Sequence, residues 1–334
     1  MQGAVGLKRI LVLGACAAAM IGALLASSPR AEATPLTSYS GRLYATTSDF
    51  FTAKGKIFTR KSGSGWKQIR FKGDIRSQDI DADPKGKFVV VCAIPRGSSF
   101  SYVYRISTKG GKAVRLSGSR GCLDFSALSP DGRKVAYFSA GSGGYNLYVV
   151  PSSGGKSKVL ARMPLCGQES NEVWVGKRIY FNGRSDCSGA IGGKIFSLRS
   201  SDGKGLLEHT TAIPAGIRYF VQDVSPDGTR ILALRRNDLD PSAGFDLAEI
   251  SSADGTLLKT VVNGASSGLI YVAGRYSPDA KRAAVVRPWA DPTALPSQVT
   301  LTGPLTSLII PSVPLTNPAG AGSNGAGSVD WGRR

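Results

Sequence analysis

Six carboxylates in this 334-residue chain, Asp79, Asp81, Asp124, Glu172, Asp223 and Asp330, fall on the segments that the strand pattern places innermost. Oxygen ligands converging on one axis are how proteins hold Ca²⁺, so a calcium ion in a central channel is one chemistry open to them. The other is capping of backbone amides around a turn, the commoner use of Asp in such a position. Catalytic chemistry is harder to assemble. His209, in EHTTAIPAG, is the single histidine, and no Ser or Cys stands in a nucleophile motif. No GxSxG, phosphate-binding or dinucleotide fingerprint occurs. Acid–base catalysis needs two groups whose pKa values are driven apart. Asp238 and Asp240 in NDLDPSAG are the carboxylates that a carbohydrate-active lyase or glycosidase would use. No catalytic residue, metal ligand or cofactor is assigned.

The elements that must position these groups start after an export signal. MQGAVGLKR is basic, ILVLGACAAAMIGALLA is apolar, and SSPRAEA ends in an A-x-A pattern. That layout predicts a signal peptide over 1–33, cleaved after Ala33. The apolar run is short for a membrane span of about 20 residues. Lipid attachment at Cys16 is the lesser alternative, because an apolar stretch follows where a solvated tether is expected. Removing 33 residues from 334 leaves 301, enough for a substantial core. They carry 39 Lys and Arg against 22 Asp and Glu, a net +17. In an exported protein that balance favours anionic envelope polymers or lipid headgroups over nucleic acid. Four cysteines remain, Cys92, Cys122, Cys166 and Cys187; in an oxidising compartment they read as two disulfides, with three pairings open.

Ser-Pro-Asp-Gly punctuates the chain. It stands in ALSPDGRKVAYFSA and DVSPDGTRILALRR, and loosely in RYSPDAKRAAVVRP and DADPKGKFVVVCAI. The residues preceding these turns or their equivalents are Ala82, Leu128, Trp174, Val224, Tyr276 and Trp331, spaced by 46, 46, 50, 52 and 55. Short strands repeating at 40–50 residues are the signature of a β-propeller. Each unit continues with an apolar run, a loop, a second run such as YNLYVVPS, a Gly-rich hairpin such as SSGGK, and a last strand. GRLYATTS, GKIFTRKS and WKQIRF lack an inner strand, and GSVDWGRR at the other end supplies one. The expectation is an all-β, six-bladed propeller of four-stranded antiparallel blades over 34–334, closed by the C-terminal strand. Residues 311–326 form a Pro/Gly/Ser-rich connector to it.

SPDGRKVAYFS…YNLYVVPSSGG resembles the repeat of TolB-type, WD-repeat-like propellers, also found in propeller domains of prolyl oligopeptidase-type enzymes. The resemblance spans nearly the whole of 34–334 and implies the fold; it is weak for function. TolB itself carries a further domain before its propeller, and the peptidases a hydrolase domain, for neither of which 34–334 leaves room.

The blade pattern sorts the residues onto two faces. Turns present Lys85, Lys87, Lys109, Lys112, Arg133, Lys134, Lys156, Lys177, Arg178, Lys204, Arg230, Lys281 and Arg282, a basic face suited to an anionic polymer or lipid surface. The opposite face has dissimilar loops, and variable loops on a rigid scaffold carry recognition. Phe50, Phe51, Phe100, Tyr145 and Trp289, with Asp238, Asp240 and Asp291, are its candidate binding residues. The same geometry puts Cys92 with Cys122, and Cys166 with Cys187. The resulting expectation is a secreted or periplasmic, monomeric, non-catalytic module that binds an envelope protein or anionic polymer.

Overall fold

A computed structural model describes residues 41–47, 56–77, 79–116, 121–123, 125–141, 144–163, 171–183, 193–240, 244–263, 273–287, 298–302, 312–314 and 328–332. The elements are strands, grouped in successive antiparallel sheets of a propeller. No helix among the described residues is long and apolar enough to cross a membrane.

Five sheets have the expected four strands. The first takes Arg42–Thr47, Lys56–Lys61 and Lys67–Ile69, with Ser328–Gly332 from the far end of the chain on its inner edge. The third runs Ala127–Leu128, Lys134–Gly141, Gly144–Pro151 and Lys158–Met163. The fourth, fifth and sixth repeat the plan, opening on Val173–Val175, Ile217–Val224 and Ala273–Tyr276. Apolar alternation sends side chains to both faces of each sheet, so consecutive sheets share a core. Tyr44 and Ile57 of the first pack on Ile80 and Val89 of the second; Phe138 and Leu147 of the third pack on Phe181 and Phe196 of the fourth. Leu43 and Trp331 of the first meet Ala284 and Val286 of the sixth.

The second sheet departs from the four-strand plan, and the reason is a single extra residue. Its inner edge is split into Ile75–Ser77 and Asp81–Ala82, both paired with Phe88–Pro95. Three residues between Ser77 and Asp81 oppose two between Val90 and Ala93, which is a bulge. The strand amide that loses its partner there, that of Cys92, donates to the Asp79 carboxylate instead. The outer edge differs as well. Phe71–Lys72, from the segment after the first sheet, pairs in parallel with Gly111–Lys112, taking part of the expected outer strand away from the second sheet.

Turn chemistry explains the repeated motif. In each complete turn the Ser hydroxyl donates to the Asp two residues on: Ser129 to Asp131 at 2.6 Å, Ser225 to Asp227 at 2.5 Å, Ser277 to Asp279 at 2.6 Å. The same carboxylate oxygens accept the amides of Arg133, Thr229 and Lys281. These bonds lower the Asp131 pKa and bring Asp227 to about 2. Gly132 and Gly228 follow at φ 72° and 74°, the left-handed region where glycine is unstrained.

Candidate functional site

The inner carboxylates act as clasps between sheets. Asp330 accepts the Ala82 amide at 2.8 Å, Asp81 the Leu128 amide at 2.6 Å, and Asp223 the Tyr276 amide at 2.9 Å. Each reaches from the residue preceding one turn anchor to the next anchor, one repeat away. Asp79 adds a second clasp between the second and third sheets, taking the Ser126 amide at 2.6 Å as well as that of Cys92. In the sixth sheet Arg275 occupies the clasp position and stands 3.7 Å from Asp330. The space these groups enclose with Glu172 is about 40 Å³, room for one or two waters. No three acidic, His or Cys groups among the described residues are placed to hold a metal ion. Asp124 lies outside the described residues. The clasp role was readable in principle: Asp81, Asp223 and Asp330 share one phase of the repeat.

His209 is structural in its geometry. Its Nδ1 faces the Ser252 carbonyl of the next sheet, which only accepts, so Nδ1 carries the proton. Nε2 therefore accepts from Ser197 Oγ at 2.6 Å, while Arg178 Nε donates to the same oxygen at 2.7 Å. The pair resembles a nucleophile with its base, yet Ser197 and His209 are both buried. Burial lowers the histidine's pKa and keeps it neutral.

The expected recognition residues separate into distinct environments. Phe100 is 65% exposed and lines a groove of about 530 Å³ with Tyr102, Arg115, Cys122, Leu123 and Ala140. The Arg115 guanidinium lies 3.5 Å over the Tyr102 ring, a cation–π platform that sequence reasoning missed. Tyr145 pairs in register with Ala140 at the groove margin and packs against the core between the third and fourth sheets. Asp238 is held by Arg218 and by Arg236 at 3.3 Å, so its carboxylate is engaged in ion pairs within the protein. Asp240, two residues on, is exposed. Phe50, Phe51, Trp289 and Asp291 lie outside the described residues, as do Cys166 and Cys187.

Cys92 and Cys122 are joined as a disulfide with Cα atoms 6.0 Å apart, binding the groove floor to the second sheet. The bridge closes a separation of 30 residues, a constraint worth about 3–4 kcal/mol by chain entropy. Reduction is expected to lower the urea midpoint correspondingly and to release the segment around Cys122. An unchanged midpoint would mean that the Cys122 amide bond to the Ser101 carbonyl, at 3.0 Å, suffices to hold it.

On the turn face most expected cations are exposed, including Lys85, Lys87, Lys109, Lys112, Arg133, Lys134, Lys156, Lys177, Lys204 and Lys281. Arg178, Arg230 and Arg282 are half-buried; Arg178 donates to the Ser197 and Gly205 carbonyls, and Arg230 pairs with Glu249.

No protein-family model matches the sequence, and no curated protein does. Solved structures do. TolB from Acinetobacter baumannii superposes with a TM-score of 0.65 at 14% identity, covering 99% of this chain and 74% of that one. The fold is that of TolB-type β-propellers. A putative TolB from Agrobacterium tumefaciens gives 0.59 at 17% identity, over 87% of this chain and 94% of that one. A chain of a nidogen/laminin complex gives 0.53 at 12%, over 88% and 100%. At such identities the TolB-type likeness concerns architecture.

Proposed function

We propose that this protein is an exported, non-catalytic β-propeller that binds a cell-envelope protein through its loop-face groove, with the basic turn face contacting anionic polymer. The groove at Phe100 carries the reading. An exposed aromatic ring beside an arginine–tyrosine platform, on a floor stapled by a disulfide, is a rigid apolar and cationic anchor of the kind that dominates protein interfaces. The similarity to a nidogen/laminin complex is compatible with it, since that structure is a protein–protein assembly. Export is supported by the basic, apolar and A-x-A layout of the N-terminus and by the Cys92–Cys122 bridge. Six blades in a ring closed by the C-terminal strand are supported by the pairing of Arg42–Gly332 through Thr46–Ser328 and by the core shared between the sixth and first sheets. The enzyme alternative is disfavoured by the ion pairing of Asp238.

The test is capture from envelope extract by the purified protein and by Phe100→Ala. Recovery of the captured protein is expected to fall about tenfold or more, the effect of losing a central aromatic anchor. Equal recovery would remove the groove from the reading.

A further inference from the structure

The turn face holds a cleft of about 430 Å³ between the first and second sheets. Arg42 and Lys61 stand on its rim directly opposite each other in register, on neighbouring strands. Like charges so placed repel, and sheets normally avoid them. The fourth sheet has the same like-charge pair at the same position, Arg178 opposite Arg199, and there both charges are satisfied. Arg199 meets Asp202 at 2.9 Å, and Arg178 donates to Ser197 and to the Gly205 carbonyl. Arg42 and Lys61 have no ion-pair partner among the described residues. Lys85 adds a third cation from the turn of the second sheet.

The remaining wall is equally specific. Asp83 is the one carboxylate among the described residues that line the cleft; it is buried, and its Oδ2 accepts the Lys87 amide at 2.9 Å. Three cations against one anion leave a net charge of +2. Tyr44 also lines the cleft, fully buried, with a hydroxyl that has no hydrogen-bond partner among the described residues. Burial pushes that hydroxyl up to about 12, so it remains a donor. A buried donor left unpaired costs stability, as does the Arg42–Lys61 repulsion. Both costs are relieved by the same ligand, an oxyanion with more than one negative charge or a run of such groups. Inorganic phosphate or a phosphate monoester supplies about 1.5 to 2 charges at once, and a run of phosphodiesters, in a polymer or at a lipid surface, supplies them as adjacent single charges.

We propose that this cleft binds a phosphate-bearing group, with Arg42, Lys61 and Lys85 as its counter-charges. The site deepens the polymer-binding reading of the turn face and is independent of the Phe100 groove. Its ligand could be a phosphodiester polymer or a lipid headgroup, and the probes separate them: inorganic phosphate by calorimetry, soluble poly(glycerol phosphate), and phosphatidylglycerol/phosphatidylcholine vesicles at equal parts.

The decisive comparison uses two variants of equal net charge, Lys61→Gln/Lys85→Gln in the cleft and Lys109→Gln/Lys204→Gln elsewhere on the face. The cleft pair is expected to weaken phosphate binding at least tenfold and the control pair less than twofold. Arg42→Gln is expected to raise the ligand-free Tm by a degree or two, because it removes the repulsion, while abolishing the response to phosphate. Retention on the polymer but not on vesicles, or the reverse, with the same dependence on Lys61 and Lys85, identifies the source. Equal weakening by both pairs would reduce the effect to diffuse attraction and overturn the site, and so would absence of binding to all three probes. Phe100→Ala should leave phosphate binding intact, so failure of the groove and failure of the cleft are read separately.

Discussion

Asp79→Ala is expected to destabilise the protein by about 4 kcal/mol at pH 5, seen as a fall of roughly 10 °C in Tm. Asp79 is 2% exposed and accepts three hydrogen bonds, from the amides of Cys92 and Ser126 and from the Ser126 hydroxyl. The two amides belong to different sheets, so one side chain ties the second sheet to the third. Alanine leaves both amides buried without an acceptor, at about 1–3 kcal/mol each. Asn does not rescue the site, since its amide nitrogen would point a donor at a donor. A loss below about 1 kcal/mol would show that water fills the gap and that the carboxylate is dispensable.

Titration gives this substitution a second signature. Burial pushes Asp79 up to about 7 from an ordinary 3.8, against the lowering effect of its three donors. Between those values the folded protein holds a proton that the unfolded chain releases. Stability from this group is therefore full below pH 3.8 and declines as pH rises to about 7, at about 1.4 kcal/mol for each pH unit crossed. Across pH 5 to 8 the stability gap between wild type and Asp79→Ala should be widest at pH 5, narrow as pH rises to about 7 and level off above it. A gap that stays constant from pH 5 to 8 would mean that the carboxylate is ionised throughout. Urea midpoints at pH 5, 6, 7 and 8 measure it.

What could be read from residue order tracks the distance over which each feature is decided. Ser-Pro-Asp-Gly is settled within a few residues by hydroxyl–carboxylate and amide bonds, and its recurrence revealed the sheets before any contact was known. The Cys92–Cys122 pairing followed from strand alternation and blade order alone. Asp79 was legible as an inner acid but not as a clasp, because its role depends on one extra residue in the inner edge and on a partner sheet 47 positions away. Asp238 looked available for chemistry until folding brought Arg218, 20 residues earlier, against it. The Arg42–Lys61 repulsion is invisible in sequence, since it arises only when register sets the start of one strand opposite the end of the next. Phe100 was legible as a loop aromatic, whereas its neighbours Tyr102 and Arg115 read only as strand.

The outer rim yields the other large effect, through Gly203→Ala. Hairpin turns of successive sheets tuck against the outer strand of the sheet before them, and glycine makes the approach possible. A Cβ on Gly203 would lie 2.1 Å from the Leu160 carbonyl oxygen, on Gly110 2.4 Å from that of Arg70, and on Gly255 2.8 Å from that of His209. These neighbours are backbone and cannot turn aside as a side chain would. The packing also covers strand edges that would otherwise offer free hydrogen-bonding groups to other chains. Gly63 provides the control, with φ 68° against 70° for Gly203 and nothing within 4 Å of its Cβ position. Alanine at Gly63 therefore costs only the left-handed strain, about 1–2 kcal/mol. At Gly203 the strain is joined by displacement of the third sheet's outer strand, and a total above about 3 kcal/mol is expected. Amide exchange across Lys158–Met163 should accelerate in Gly203→Ala and stay unchanged in Gly63→Ala. Equal losses from the two substitutions would mean that the rim yields freely, leaving the inner carboxylate clasps and the shared cores to hold neighbouring sheets together.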